Sequence, residues 1–157
     1  MVLRQSQRGF TLLEILVVIT LILIIIGIAL PRFTGVSDEG RKAKAAAELK
    51  TLQTALESYL LHTSPTLPAA TNGNITDLEA ALEGATPRLV GEVTAFLDPF
   101  TTSAKYLYKI STNSRYYVMH SVGPDRTATI TGIDTSGNIT PTSPGDDIYV
   151  TNGQLSA

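Results

Sequence analysis

A single carboxylate, Glu14, stands at the head of an apolar run from Ile15 to Leu30 that is relieved only by Thr20 and Gly27. An acid inside an apolar helix costs roughly 2.5–3.5 kcal/mol at mid-membrane and ordinarily has a partner. Glu14 lies near one end of the run, where the cost is lower, just behind a short basic leader holding Arg4 and Arg8. Its chemistry is ion pairing. Other reactive constellations are thin. His62 and His120 are the only histidines and there is no cysteine, which leaves no basis for a zinc site or a thiol nucleophile. Ser121 adjoins His120 only in sequence, and no Gly-x-Ser-x-Gly elbow is present. Asn74-Ile75-Thr76 and Asn138-Ile139-Thr140 match the glycosylation acceptor pattern, a weak signal. No catalytic constellation emerges, and the chain reads as a non-enzyme.

The element that must carry Glu14 is a long helix. Phe10 to Leu30 would span about 31 Å at 1.5 Å per residue, enough to cross a bilayer core. Arg4 and Arg8 precede it, which predicts a cytoplasmic N-terminus and an exported remainder. A secretory signal would have a shorter apolar region and a small-residue cleavage site at its far end, which Ile28-Ala29-Leu30-Pro31 does not offer. An ordinary single-span anchor fits the hydropathy equally well but gives Glu14 no role.

The junction Arg8-Gly9-Phe10-Thr11-Leu12-Leu13-Glu14 and the apolar run behind it resemble the class III signal of type IV pilins and of type II secretion pseudopilins. That resemblance implies cleavage of a 1–9 leader after Gly9 by a prepilin peptidase and N-methylation of Phe10. It also implies pairing of Glu14 with the terminal amine of a neighbouring subunit during assembly. The fold implied is α+β: a long N-terminal helix, transmembrane over 10–33 and amphipathic over 34–62, packed on a small antiparallel sheet within a 63–157 periplasmic domain.

Further along, Pro31 lacks an N–H and crowds the preceding turn, so it should end the first half of the helix or kink it. From Ser37 the apolar positions Ala43, Ala46, Leu49, Leu52, Leu56, Tyr59 and Leu60 recur at helical spacing and predict a stripe that covers a sheet. Thr63 to Asn74 is loop by composition, and Thr76 to Glu83 reads as a short helix. Ala104 to Ile110 alternates as a strand, Asn113-Ser114 turns, and Tyr116 to His120 returns as its partner. A third strand is expected near Thr127 to Thr131 and a fourth at Ile139, with Asp134 to Asn138 turning between them.

Ser121-Val122-Gly123-Pro124-Asp125 and the later Gly145-Asp146-Asp147-Ile148, with Asp98-Pro99 and the Tyr-rich hairpin, resemble the major pseudopilin of type II secretion. There a Ser-x-Gly-x-Asp turn and a later Asp pair bind one calcium ion that orders the loop in place of a disulfide. The resemblance assigns carboxylates to Asp125, Asp146 and Asp147 and a backbone carbonyl to Val122. Oxygen ligands suit calcium. Read alone, aspartates in a Gly- and Pro-rich turn are turn residues. The segment from Arg126 to Pro144 is longer than the family's usual connection and reads as an inserted hairpin.

The formal net charge is −2, with no basic patch to suggest nucleic acid. Arg41, Lys42 and Lys44 alternate with Asp38, Glu39 and Glu48 as a solvated helix face or as charge matching between subunits. The expectation is a subunit of a helical homo-oligomeric filament. It would wait in the bacterial inner membrane for an assembly platform and minor pseudopilins, then enter a pseudopilus that drives folded proteins across the outer membrane. A type IV pilus subunit for adhesion, twitching motility or DNA uptake is the alternative.

Overall fold

The computed structural model describes residues 10–154, with the side chains of 29–35 outside the description. The chain divides into two compact units, residues 1–38 and 39–157.

Helix α1, Leu12–His62, contributes to both units and runs unbroken through position 31. The expected end of the helix at Pro31 is therefore not realised; a proline within a long helix forfeits one backbone bond while the turns on either side persist. Thr11 starts α1: its Oγ1 accepts the Glu14 N–H at 3.2 Å. Thr11-Leu12-Leu13-Glu14 has the spacing of a capping box, and an acid in the first turn also favours the helix dipole.

In the first unit every large apolar side chain from Phe10 to Ile28 is at least 44 % exposed, with no buried face. Among the described residues no helix is long and apolar enough to cross a membrane. The expected 10–33 span reaches into residues 29–35, whose side chains lie outside the description.

The second unit has the α+β arrangement expected: the second half of α1 packs on a small antiparallel sheet. Strands β1, Leu107–Ile110, and β2, Tyr117–Ser121, pair with Leu107 opposite His120. Two further strands, β3, Gly132–Ile133, and β4, Ile139–Thr140, form a separate two-stranded hairpin within the inserted segment. Strand β5, Ile148–Thr151, pairs with the other edge of β2, giving the order β1-β2-β5. The third strand thus lies a little later than the expected Thr127 to Thr131, and β5 is an addition to the expected elements. Its strand-favouring run Ile148-Tyr149-Val150-Thr151, three β-branched residues and one aromatic, follows directly on the aspartate pair, whose loop signal masks it.

The main core joins Ala45, Leu49, Leu52, Ala55 and Leu56 of α1 to Tyr106, Tyr108, Tyr117 and Met119 of the sheet. Ala43 and Ala46, expected in the stripe, are exposed. Ala45 takes the inward place, because the phase set by Leu49, Leu52 and Leu56 continues back to position 45 rather than to its neighbours. A smaller cluster of Val118, Ile130, Ile133 and Ile139 holds the hairpin against the opposite face of β2. Strand β2 is buried along its length for that reason. The short helical region splits into a 3-10 turn, Ile75–Leu78, and helix α2, Glu79–Glu83.

Candidate functional site

Two places gather the residues singled out by the sequence. At the N-terminal junction Gly9 lies outside the described residues, Phe10 is 79 % exposed, and Glu14 sits in the first turn of α1. Pro31 belongs to the helix backbone, and its side chain is outside the description.

The second place is a junction of loops at the C-terminal end of β2. Asp98 builds its floor. Its Oδ1 accepts the Phe100 N–H at 3.0 Å and the Ser121 hydroxyl at 2.8 Å, and its Oδ2 accepts the Val122 N–H at 2.9 Å. Those bonds turn the chain sharply after β2. Gly123 then adopts φ +68°, and a Cβ there would lie 2.3 Å from the Asp146 carbonyl oxygen. Only glycine allows the two loops to approach this closely.

The aspartates meet across that contact. Asp146 Oδ2 accepts the Asp125 N–H at 2.9 Å, while Asp125 Oδ1 accepts the Thr127 N–H at 2.8 Å. Asp147 reaches inward: its Oδ2 accepts the N–H groups of Thr129 and Ile130 at 2.9 and 2.8 Å. The inserted segment is therefore tied to the loop through one carboxylate oxygen. His120 Nδ1 lies 3.2 Å from the same oxygen, with both side chains fully buried.

The electrostatics are unbalanced. Burial raises the Asp147 pKa; the two amide bonds oppose this, and the charges of Asp146 and Asp125 add to the rise. Burial lowers His120 to about 4, so the neighbouring imidazole is neutral at pH 7 and supplies no countercharge. Asp147 Oδ1 and both His120 ring nitrogens are buried without a hydrogen-bond partner. A buried carboxylate oxygen left unpaired beside two more carboxylates is the donor chemistry of a hard cation. Among the described residues no three His, Cys, Asp or Glu side chains form a ready metal cluster. As placed, Asp125, Asp146 and Asp147 do not converge on one cation position, and oxygens of Asp146 and Asp147 are engaged by backbone N–H groups.

Asp125, Asp146, Asp147 and Val122, singled out by the sequence, lie at one junction of loops. Sequence reasoning gives no role to Asp98, His120 or the Thr129 and Ile130 amides. Asp98-Pro99 carries the local signal of an Asx turn, whereas His120 and the amides cannot be found without the fold.

The fold is thus a helix-on-sheet α+β domain with an aspartate loop at one end of its central strand, preceded by an exposed apolar helix with an acid in its first turn. Residues 4–30 match the family model described as the prokaryotic N-terminal methylation motif. The chain is similar to the type II secretion system core protein G of Klebsiella michiganensis, 43% identical over 61 residues, covering 39% of this chain and 43% of the relative. For the protein of the same name from Escherichia coli the figures are 42% over 64 residues, covering 40% and 44%. A fimbrial protein of Pseudomonas aeruginosa is 33% identical over 67 residues, covering 43% and 44%. The chain thus matches less than half the length of these curated relatives. No solved structure gives a significant match.

Proposed function

We propose that the chain is a structural subunit of a pseudopilus in type II protein secretion. The observation that carries this reading is the segment from Phe10 to Ile28, helical from Leu12, apolar and exposed on every side, with Glu14 in the first turn of the helix. Such a surface is unstable in water and must be covered, by lipid before assembly and by the same segment of other copies afterwards. Cleavage after Gly9 would create a cationic amine at Phe10, close enough along the chain to meet a Glu14 carboxylate of a neighbour. The similarity to core protein G supports this choice over a type IV pilus, and the weaker identity to fimbrial proteins keeps the pilus as the second reading.

In this reading the monomer is held in the bacterial inner membrane with residues 63–157 in the periplasm. A prepilin peptidase, an inner-membrane assembly platform and minor pseudopilins are its partners. The role is structural rather than enzymatic. Calcium is the proposed ligand of the aspartate loop, held by carboxylates of Asp125, Asp146 and Asp147 and a carbonyl of Val122. It would supply the positive charge that neutral His120 does not.

Mass spectrometry of the chain isolated from its native membrane tests the reading. A mature N-terminus at a methylated Phe10 is expected, and an intact residue 1–9 leader would overturn both filament assignments. Filaments confined to the periplasm, rather than on the cell surface, select the pseudopilus.

A further inference from the structure

Two asparagines are each followed by glycine, at Asn72-Gly73 and Asn152-Gly153. That dipeptide is the chemically labile setting of asparagine, because no side chain crowds the nitrogen that follows the amide. In the reaction the glycine N–H loses its proton and the nitrogen attacks the asparagine Cγ. The Cγ–Nδ2 bond breaks, the amino group leaves with that proton as ammonia, and a cyclic imide remains. Water then opens the imide at either carbonyl, which restores the N–H and gives aspartate or isoaspartate.

The fold restrains the two pairs differently. Both ends of the Asn152 amide are tied to the chain entering β2: Oδ1 accepts the Tyr117 N–H at 2.8 Å and Nδ2 donates to the Arg115 carbonyl at 3.0 Å. Gly153 is packed so closely that a Cβ there would lie 2.2 Å from the Gly137 carbonyl oxygen. Asn72 is exposed, and its bonds converge on a single group, the Asp77 carboxylate. Asp77 Oδ1 accepts from Asn72 Nδ2 at 2.7 Å, and Oδ2 accepts the Gly73 N–H at 3.0 Å. The two oxygens share the Asn72 N–H at 3.0 and 2.9 Å. One carboxylate thus holds the attacking nitrogen and the leaving group together. Its negative charge beside the Gly73 nitrogen opposes the amide anion that must form there. Its bond to Nδ2 also resists rotation of the side-chain amide.

We propose that Asn72 is a latent deamidation site and that Asp77 holds it shut. Conversion would set a second carboxylate against Asp77 and remove the Nδ2 donor. The turn loosened in this way covers the outer edge of β1. There the Tyr108 N–H donates to the Gly73 carbonyl at 3.1 Å, and Asn74 bridges to Leu107. Isoaspartate would also add a carbon to the backbone at that point. An uncovered strand edge presents unpaired N–H and C=O groups on which other chains can pair, so Asp77 guards the edge as well as the asparagine.

The test ages the full-length chain in detergent in warm, mildly alkaline buffer. Mass spectrometry of the peptides carrying Asn72 and Asn152 reads the exchange of an NH2 for an OH group. Asp77→Asn should speed conversion at Asn72 by roughly tenfold or more, the rate equivalent of one lost hydrogen bond to a charged group. Asn152 should stay unconverted in the same sample, which shows that the domain is folded. A free peptide of residues 68–76, which lacks Asp77, is the second measure and should convert at least as fast as the variant. An unaltered chain that converts Asn72 at the peptide's rate overturns the proposal. So does an Asp77→Asn chain no faster than the unaltered one, or one in which Asn72 and Asn152 convert together.

Discussion

Tyr106 Oη donates to Glu48 Oε2 across 2.6 Å and joins the strand side of the core to the middle of α1. The ring is fully buried, and the same carboxylate lies 3.7 Å from Lys44 on the solvent side. One bond thereby fixes how far along the helix the sheet sits. Tyr106→Phe should cost about 1 kcal/mol, a typical net hydrogen-bond contribution. Tyr106→Ala should cost about 3–5 kcal/mol, because it also opens a cavity. Urea unfolding of the full chain in detergent separates the two; equal losses would show that packing at this position is unimportant.

Burial raises Tyr106, Tyr108 and Tyr117 well above the usual tyrosine range, and nearby groups, Glu48 and Glu57 among them, add to the effect. Their folded pKa values exceed the unfolded ones. The stability they contribute is therefore complete below about pH 10 and is lost as pH rises beyond it. Tyrosinate absorbance should show that Tyr106, Tyr108 and Tyr117 ionise only together with unfolding. Smooth ionisation of all six tyrosines in the folded chain would contradict this.

Glu14 has two separable roles. At the start of α1 it stands at the capping-box position, its N–H donating to Thr11 Oγ1; as a charge it is the proposed partner of a neighbour's amine. Glu14→Gln keeps a residue suited to the capping box and removes the charge. Glu14→Gln should therefore insert and be processed normally yet fail to build filaments, as Glu14→Ala should. Thr11→Ala should cost the cap alone, about 1 kcal/mol, with filaments retained. Normal filaments from Glu14→Gln would leave only the capping role.

For the aspartate loop, Asp147→Ala is a poor probe of metal binding, because it also strands the buried Ile130 N–H and the half-buried Thr129 N–H. That change should destabilise the domain by about 2–4 kcal/mol with or without calcium. Asp125→Asn keeps most of the loop and is the sharper test. At 100 times its dissociation constant, calcium should stabilise the unaltered chain by about 2.7 kcal/mol, and Asp125→Asn should abolish most of that gain. A melting temperature indifferent to calcium and chelator would mean the aspartates serve the backbone alone.

Gly123→Ala should be among the most damaging single-methyl changes. The added carbon meets the Asp146 carbonyl oxygen at a left-handed φ of +68°. The backbone penalty alone is about 1–2 kcal/mol, and separating the loops removes the Asp146 bond to Asp125. Calorimetry of this variant beside Gly91→Ala, where a Cβ would meet nothing within 4 Å, isolates the effect.

The N-terminal half was legible because its signals are local and one-dimensional. An unbroken apolar run, a basic leader and one acid at fixed spacing need no partner strand to be read. The Tyr106 to Ser121 hairpin was legible for the same reason, since alternation and a turn lie within a few residues. What only the tertiary structure decided was pairing at a distance. Strand β5 joins β2 across the whole inserted segment, and its β-branched residues carry no sign of their neighbour. Ala45 rather than Ala43 or Ala46 faces the core because helix phase follows the three leucines, and the small alanines do not compete. The buried contact of His120 with Asp147, and the amides of Thr129 and Ile130 on that carboxylate, exist only once the insertion folds back over β2. Sequence determines which groups are able to bond; the closing of long loops decides which of them meet.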